Sequence, residues 1–163
     1  MRFLPALVFV GFTYAASTYA VAPGTAAPPF ALPTASGETV SLAPLRGHVV
    51  YVDFWASWCA PCRRSFPWMN ALQARYGKDG LAIVGINVDK RRDDAERFLR
   101  DTPASFPIVY DAQGKTPGAY DVKGMPSSYL IDRKGNVVAV EEGFHDERRD
   151  DVEARIRALL AQP

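Results

Sequence analysis

Cys59 and Cys62 are the only cysteines in this 163-residue chain, and they stand two residues apart in Trp58-Cys59-Ala60-Pro61-Cys62. Two thiols at that spacing can close a small disulfide ring and reopen it. No third cysteine exists for either to bridge elsewhere. A ring this short removes little entropy from the unfolded chain, so it is a poor staple. The pair therefore reads as redox chemistry. Half of a zinc site is the competing reading. Structural zinc takes four ligands, and only His48 and His145 could add to the thiols, from distant and unrelated contexts.

Asp53 is the second residue with chemical potential. It sits inside the apolar run Val49-Val50-Tyr51-Val52-Asp53-Phe54-Trp55, just before the cysteines. An acid there is costly unless paired or protonated, and burial raises its pKa. The bland alternative is an aspartate at a strand edge, solvated or capping the next helix.

Positioning these groups takes a strand before the cysteines and a helix after them. Val49 to Trp55 has the length and β-branched, aromatic content of a buried central strand. From Arg63 to Tyr76, Phe66, Met69 and Leu72 recur at helical spacing, Gly77 stops the helix, and Pro67 should kink it. Leu81 to Val88 reads as a second buried strand. Asp93 to Arg100 reads as a helix with Ala95, Phe98 and Leu99 inward, Phe106 to Tyr110 as a short strand, and Thr116 to Tyr120 as a helical turn. Ser127 to Asp132 and Val137 to Glu141 flank Arg133-Lys134-Gly135-Asn136, a hairpin signal. The last helix should run from about Glu147 to Leu160, with Val152, Ile156, Leu159 and Leu160 on one face. Val21 to Pro33 reads as an extended arm, and Gly37 to Leu42 as a turn and short strand. This order gives an α/β fold, a mixed sheet with helices on both faces.

The first residues have the grammar of a secretory signal: Met1-Arg2, an apolar stretch from Phe3 to Tyr14, then small residues with cleavage plausible after Ala20. The apolar stretch is short of the roughly 20 residues a bilayer span needs; an uncleaved anchor over residues 3–20 is the alternative. No cysteine near that point could carry lipid. Residues 21–163 form the expected folded domain. Formal net charge is +1 and becomes 0 without Arg2, which leaves no electrostatic case for nucleic acid.

This order of elements, with Trp-Cys-x-x-Cys ending the first central strand, resembles the thioredoxin-like superfamily, and its exported TlpA/ResA-like branch most. The resemblance spans about residues 28 to 160. It rests on Val52 to Cys62, Phe66-Pro67, Ile86-Asn87-Val88-Asp89, Leu45-Arg46-Gly47, and Gly124-Met125-Pro126-Ser127-Ser128-Tyr129-Leu130-Ile131-Asp132. The longer segment from Lys90 to Val122 fits the helix and strand inserted in that branch. The resemblance implies a thioredoxin-like three-layer fold and thiol–disulfide exchange without a metal or other cofactor. Pro126 matches the cis-proline that faces the cysteines in such folds, beside which the backbone of Met125 could pair with an extended substrate. Asp53 matches the buried acid that exchanges a proton with the second cysteine. Trp58 is expected to be an exposed apolar contact for a partner, Trp55 to be core, and Trp68 to be either.

Cys59 is expected at a helix N-terminus, where unsatisfied N–H groups and the dipole favour the thiolate. It would attack a partner disulfide, and the more buried Cys62 would resolve the mixed disulfide. Many TlpA/ResA-like proteins carry a glutamate three residues after the second cysteine; this chain has Ser65 there and its acid at Asp53. Ala60-Pro61 puts no charge between the cysteines, which points to a reducing protein. Arg63 reads as a solvated arginine or a thiolate stabiliser, and His145 as structural. By resemblance, substrates are haem-attachment cysteines of apocytochrome c or copper-site cysteines of an oxidase or its assembly factor. A membrane-bound thiol reductant would supply electrons to a monomeric, periplasmic or otherwise extracytoplasmic protein. A peroxiredoxin-like peroxidase is the competing enzyme reading, on Ala27-Pro28-Pro29-Phe30 and Leu45-Arg46-Gly47. A copper-binding chaperone is the competing non-enzyme reading.

Overall fold

A computed structural model describes residues 21–162 of the chain; the expected signal or anchor lies outside them. The run Val49–Trp55 forms a seven-residue strand, every residue of which is buried. It sits at the centre of a five-stranded sheet. Calling the strands β1 (Ala31–Pro33), β2 (Thr39–Ser41), β3 (Val49–Trp55), β4 (Leu81–Asn87), β5 (Ile108–Tyr110), β6 (Ser127–Ile131) and β7 (Val137–Glu142), the order across that sheet is β5-β4-β3-β6-β7. β3 pairs parallel with β4 and antiparallel with β6, so the sheet is mixed. β1 and β2 form a separate antiparallel pair.

The helices are α1 (Cys62–Tyr76), α2 (Arg92–Asp101), α3 (Lys115–Ala119) and α4 (Arg149–Leu160), with a short 3-10 turn at Asp146–Arg148 leading into α4. Side chains alternate across a strand, and β3 divides its residues between two apolar clusters accordingly. Val49, Tyr51 and Trp55 join Phe66, Met69 and Leu72 of α1, Phe98 of α2, and Val152 and Ile156 of α4. Val50, Val52 and Phe54 face the other way, against Ala27, Phe30, Leu42 and Tyr120. Helices were expected on both faces. The three longer ones contribute to the first cluster, while the second face is covered by the N-terminal arm and the short α3 region.

The arm is not merely extended. Gly24 N–H donates to Val137 O at 2.8 Å, Val137 N–H to Thr25 O at 2.8 Å, and Ala27 N–H to Gly135 O at 3.0 Å. Its last residues, Ala31–Pro33, form β1. The inserted segment is present as α2 and β5, the strand being shorter than Phe106 to Tyr110 because it pairs with β4 only from Ile108. Pro67 lies inside α1, which continues past it to Tyr76.

Candidate active site

Cys59 and Cys62 are joined by a disulfide with an S–S distance of 2.01 Å. α1 begins at Cys62, one residue before the expected Arg63, and Cys59 lies just ahead of its N-terminus. Residues 59–61 form the turn before it, because Cys62 N–H donates to Cys59 O at 3.2 Å and Arg63 N–H to Ala60 O at 3.2 Å. The consequence for Cys59 is similar: Cys62 N–H, the first of the helix, also lies 3.2 Å from Cys59 Sγ. A helix N-terminal N–H aimed at sulfur favours its anionic form. Both cysteines are buried, Cys62 fully and Cys59 with 3% of its surface exposed.

The segment before the cysteines is tied to the end of β4. Asp89 accepts from Ser57 N–H at 2.8 Å, from the Ser57 hydroxyl at 2.9 Å and from Asn87 Nδ2 at 2.8 Å. Asn87 Oδ1 in turn accepts from Asp89 N–H at 3.1 Å. Trp58, next to this anchored serine, is 70% exposed and is the large hydrophobic side chain that projects into solvent among the described residues. Trp55 is wholly buried between Phe66 and Phe98, with ring centroids 5.0 and 4.8 Å away. Trp68 is buried edge-on to Tyr51 at 5.9 Å. The Arg63 guanidinium lies over the Phe98 ring at 4.6 Å.

Asp53 is 1% exposed and on the same face of β3 as Tyr51 and Trp55, which pack in the cluster that holds both cysteines. Ser128 Oγ donates to Asp53 Oδ1 at 2.6 Å. Asp53 Oδ2 is buried without a hydrogen-bond partner among the described residues. Burial pushes the Asp53 carboxyl up from its ordinary 3.8 to about 7, with the Ser128 hydrogen bond acting the other way.

The register explains this pairing. Asp53 stands opposite Ser128 on β6, and Ser128 opposite Glu141 on β7. A register shift at Leu130/Ile131 moves β7 by one residue, so that Glu141 rather than Val140 meets Ser128. On the other side Asp53 faces Gly85 of β4. A Cβ at Gly85 would come within 2.7 Å of Ile108 Cδ1 and 3.3 Å of Trp55 Nε1, so the space beside the acid is already filled. Glu141 is itself buried and pairs with Arg148, Oε2 to the guanidinium at 2.8 Å.

The Met125-Pro126 peptide bond is cis. Met125 packs against the cluster containing the cysteines, and the strand that follows Pro126 supplies Ser128. Ala60 and Pro61 lie in the turn between the sulfurs. Among the described residues, no group of three or more His, Cys, Asp or Glu side chains is arranged to hold a metal ion. His145 lies beyond β7, with Nδ1 3.7 Å from Glu147 Oε1.

Sequence reasoning missed Ser128, Tyr51, Glu141 and the Ser57–Asp89 tether. Ser128 and Asp89 both fall within motifs that carried the resemblance, but neither had a contact until the strand register was known.

A disulfide at the start of α1, beside a mixed sheet and with a cis-proline opening β6, defines a thioredoxin-like thiol–disulfide oxidoreductase. The chain belongs to the AhpC/TSA family, whose model matches residues 23–140. It is 34% identical to the thiol-disulfide oxidoreductase ResA of Geobacillus kaustophilus, over 94% of this chain and 89% of that one. It is 33% identical to ResA of Bacillus subtilis, over 76% of this chain and 69% of that one. A Chlorobium tepidum crystal structure, described as the thiol:disulfide interchange protein DsbE, superimposes with a TM-score of 0.84. It is 47% identical and covers 87% of this chain and all of its own.

Proposed function

We propose that this enzyme is an extracytoplasmic reductant of cysteine pairs in other proteins. In the reduced enzyme, the Cys59 thiolate attacks a partner disulfide and forms a mixed disulfide, releasing one partner thiolate. Asp53 then takes the Cys62 proton. The Cys62 thiolate attacks Cys59 Sγ, the Cys59–partner bond breaks, and the second partner sulfur leaves as thiolate. The partner gains two electrons and the enzyme ends as the Cys59–Cys62 disulfide. A membrane-bound thiol reductant would restore it.

The observation that carries this reading is the buried Asp53, on the cysteine face of β3 with one oxygen unpartnered. A carboxyl raised to about 7 can both take and return a proton near neutral pH. Trp58 and the backbone of Met125 supply the surface for a partner polypeptide, and the Ala60-Pro61 turn adds no charge that would favour the reduced state. Substrates of the cytochrome c maturation or copper-oxidase assembly type, a cleaved or anchoring segment over residues 1–20, and a monomer are parts of the same reading.

Equilibration with glutathione, read from the fraction of Cys59–Cys62 disulfide, tests the direction of electron flow. A potential well below the roughly −120 mV of the strong oxidant DsbA is expected, and a value near it contradicts a reductant. Fast, saturable turnover of peroxide would instead favour the peroxidase reading.

A further inference from the structure

The proton that leaves Cys62 must go somewhere while a partner polypeptide is bonded to Cys59. Cys62 is fully buried and Cys59 nearly so, and a partner on Cys59 covers what remains of that mouth. A row of polar side chains runs along the sheet from Asp53. Asp53, Ser128 and Glu141 stand in one row across β3, β6 and β7. Direct cross-strand neighbours on one face have Cβ atoms about 5 Å apart, within reach of hydrogen-bonded side chains. Ser128 bonds directly to Asp53. Tyr51, two residues before Asp53, points to the same face. Its phenol is pushed far up by burial first and then by the Asp53 charge, Ser128 acts the other way, and Glu141 raises it again, so all three groups act on it.

Tyr51 and Glu141 both line a small cavity of about 20 Å³, together with Trp68, His145, Arg148 and Val152. A water needs about 10–15 Å³ of such space and two or more polar partners, and this cavity offers both. Beyond it, the Arg148 side chain paired to Glu141 is half exposed, so the row reaches solvent at the N-terminal end of α4.

We propose that Ser128 and Glu141 form a proton path from Asp53 to the cavity beside α4, which lets the resolving step release its proton away from the bound partner. The path rests on Asp53 as the base for Cys62. Asp53 Oδ2 takes the thiol proton. Rotation of the neutral carboxyl presents that proton to Ser128 Oγ, whose own hydrogen passes to the Tyr51 hydroxyl; Tyr51 gives its own to a water in the cavity it lines with Glu141, and one proton arrives at the Glu141 carboxylate and then in solvent. One proton enters and one leaves; Ser128 and Tyr51 end neutral, and no electrons move along this row. The titratable and polar groups on this face are Tyr51 beside Asp53 on its own strand, Ser128 opposite it on β6 and Glu141 one strand further on β7, with the cysteine pair in the same cluster as Tyr51 and with Arg148, Arg149 and His145 around the cavity.

Reaction of the reduced enzyme with Ellman's reagent separates the two steps. The first thionitrobenzoate reports attack by Cys59, and the second reports resolution by Cys62. Both phases are followed from about pH 5 to about pH 9 in light and heavy water. Ser128→Ala and Glu141→Gln should slow the second phase about tenfold near neutral pH, raise its solvent isotope effect, and leave the first phase unchanged. Ser128→Thr, which keeps the hydroxyl, should restore it. Arg148→Met breaks the same ion pair but keeps the Glu141 carboxylate, and should leave the second phase fast; near-ultraviolet circular dichroism checks that all variants are folded. A wild-type second phase in Glu141→Gln or Ser128→Ala, with Asp53→Asn slow, overturns the path and leaves the base intact. Equal slowing in Arg148→Met also overturns it, since packing would then explain the effect. An unchanged second phase in Asp53→Asn removes the base, and the path with it.

Discussion

Ser128 and Asp53 are direct cross-strand partners, joined by a 2.6 Å hydrogen bond from the serine hydroxyl to Asp53 Oδ1. Among the described residues that bond is the one hydrogen bond to this carboxyl, whose other oxygen is buried without a partner there. A carboxyl held this way stays protonated well above its ordinary range.

The rise from 3.8 to about 7 makes stability depend on pH. Between those values the folded protein keeps a proton that the unfolded chain releases. The stability this provides is fully present below 3.8 and is lost as pH rises through about 7. A shift of that size corresponds to at most about 4 kcal/mol. Urea unfolding of the oxidised protein should therefore show falling stability from about pH 5 to about pH 8, and Asp53→Asn should remove most of that slope.

Ser128→Ala should raise the Asp53 pKa further, because the serine hydrogen bond lowers it. Carboxyl carbon-13 titration reads this directly. The variant should lose about 1–3 kcal/mol where Asp53 is ionised and less where it is neutral. An unmoved titration midpoint would show that the hydroxyl does not act on the acid.

Asp89→Ala should loosen the active-site turn. Its carboxylate accepts three hydrogen bonds that hold Ser57 to the end of β4. Removing it leaves the buried Asn87 amide and the part-buried Ser57 donors unpaired, at a cost of about 2 kcal/mol. Hydrogen exchange at the Ser57 amide should accelerate beyond that of amides in β3, and uniform acceleration would point to global destabilisation instead.

Trp58→Ala should barely change stability, because the indole is mostly in solvent. It should slow reduction of a protein disulfide such as insulin's several-fold while leaving reduction of oxidised glutathione nearly unchanged. Equal slowing of both would place Trp58 in the chemistry of Cys59 rather than in partner contact.

The positions of the strands and helices were legible wherever apolar runs had a clear period. β3, β4 and α1 follow the sequence reading within a residue or so, because burial on both faces or on one stripe writes itself into residue type. The redox pair and the odd acid at Asp53 were equally visible, being the wrong residue types for a plain core. What the sequence could not reveal was register. Ser128 and Glu141 look like ordinary strand residues until the shift at Leu130/Ile131 aligns them with Asp53. The Ala31–Pro33 strand was hidden in a proline-rich arm, since its stability comes from pairing with Thr39–Ser41 and not from its own composition.

The unequal roles of the two cysteines are tested most directly by replacing each in turn and mixing the reduced variants with a disulfide-bonded partner protein. Cys62→Ser should accumulate a stable mixed disulfide through Cys59, identifiable by mass spectrometry and released by dithiothreitol. Cys59→Ser should trap little, its remaining sulfur being fully buried. Trapping through Cys62 in Cys59→Ser, or none through a still-reactive Cys59, would contradict attack by Cys59 and resolution by Cys62.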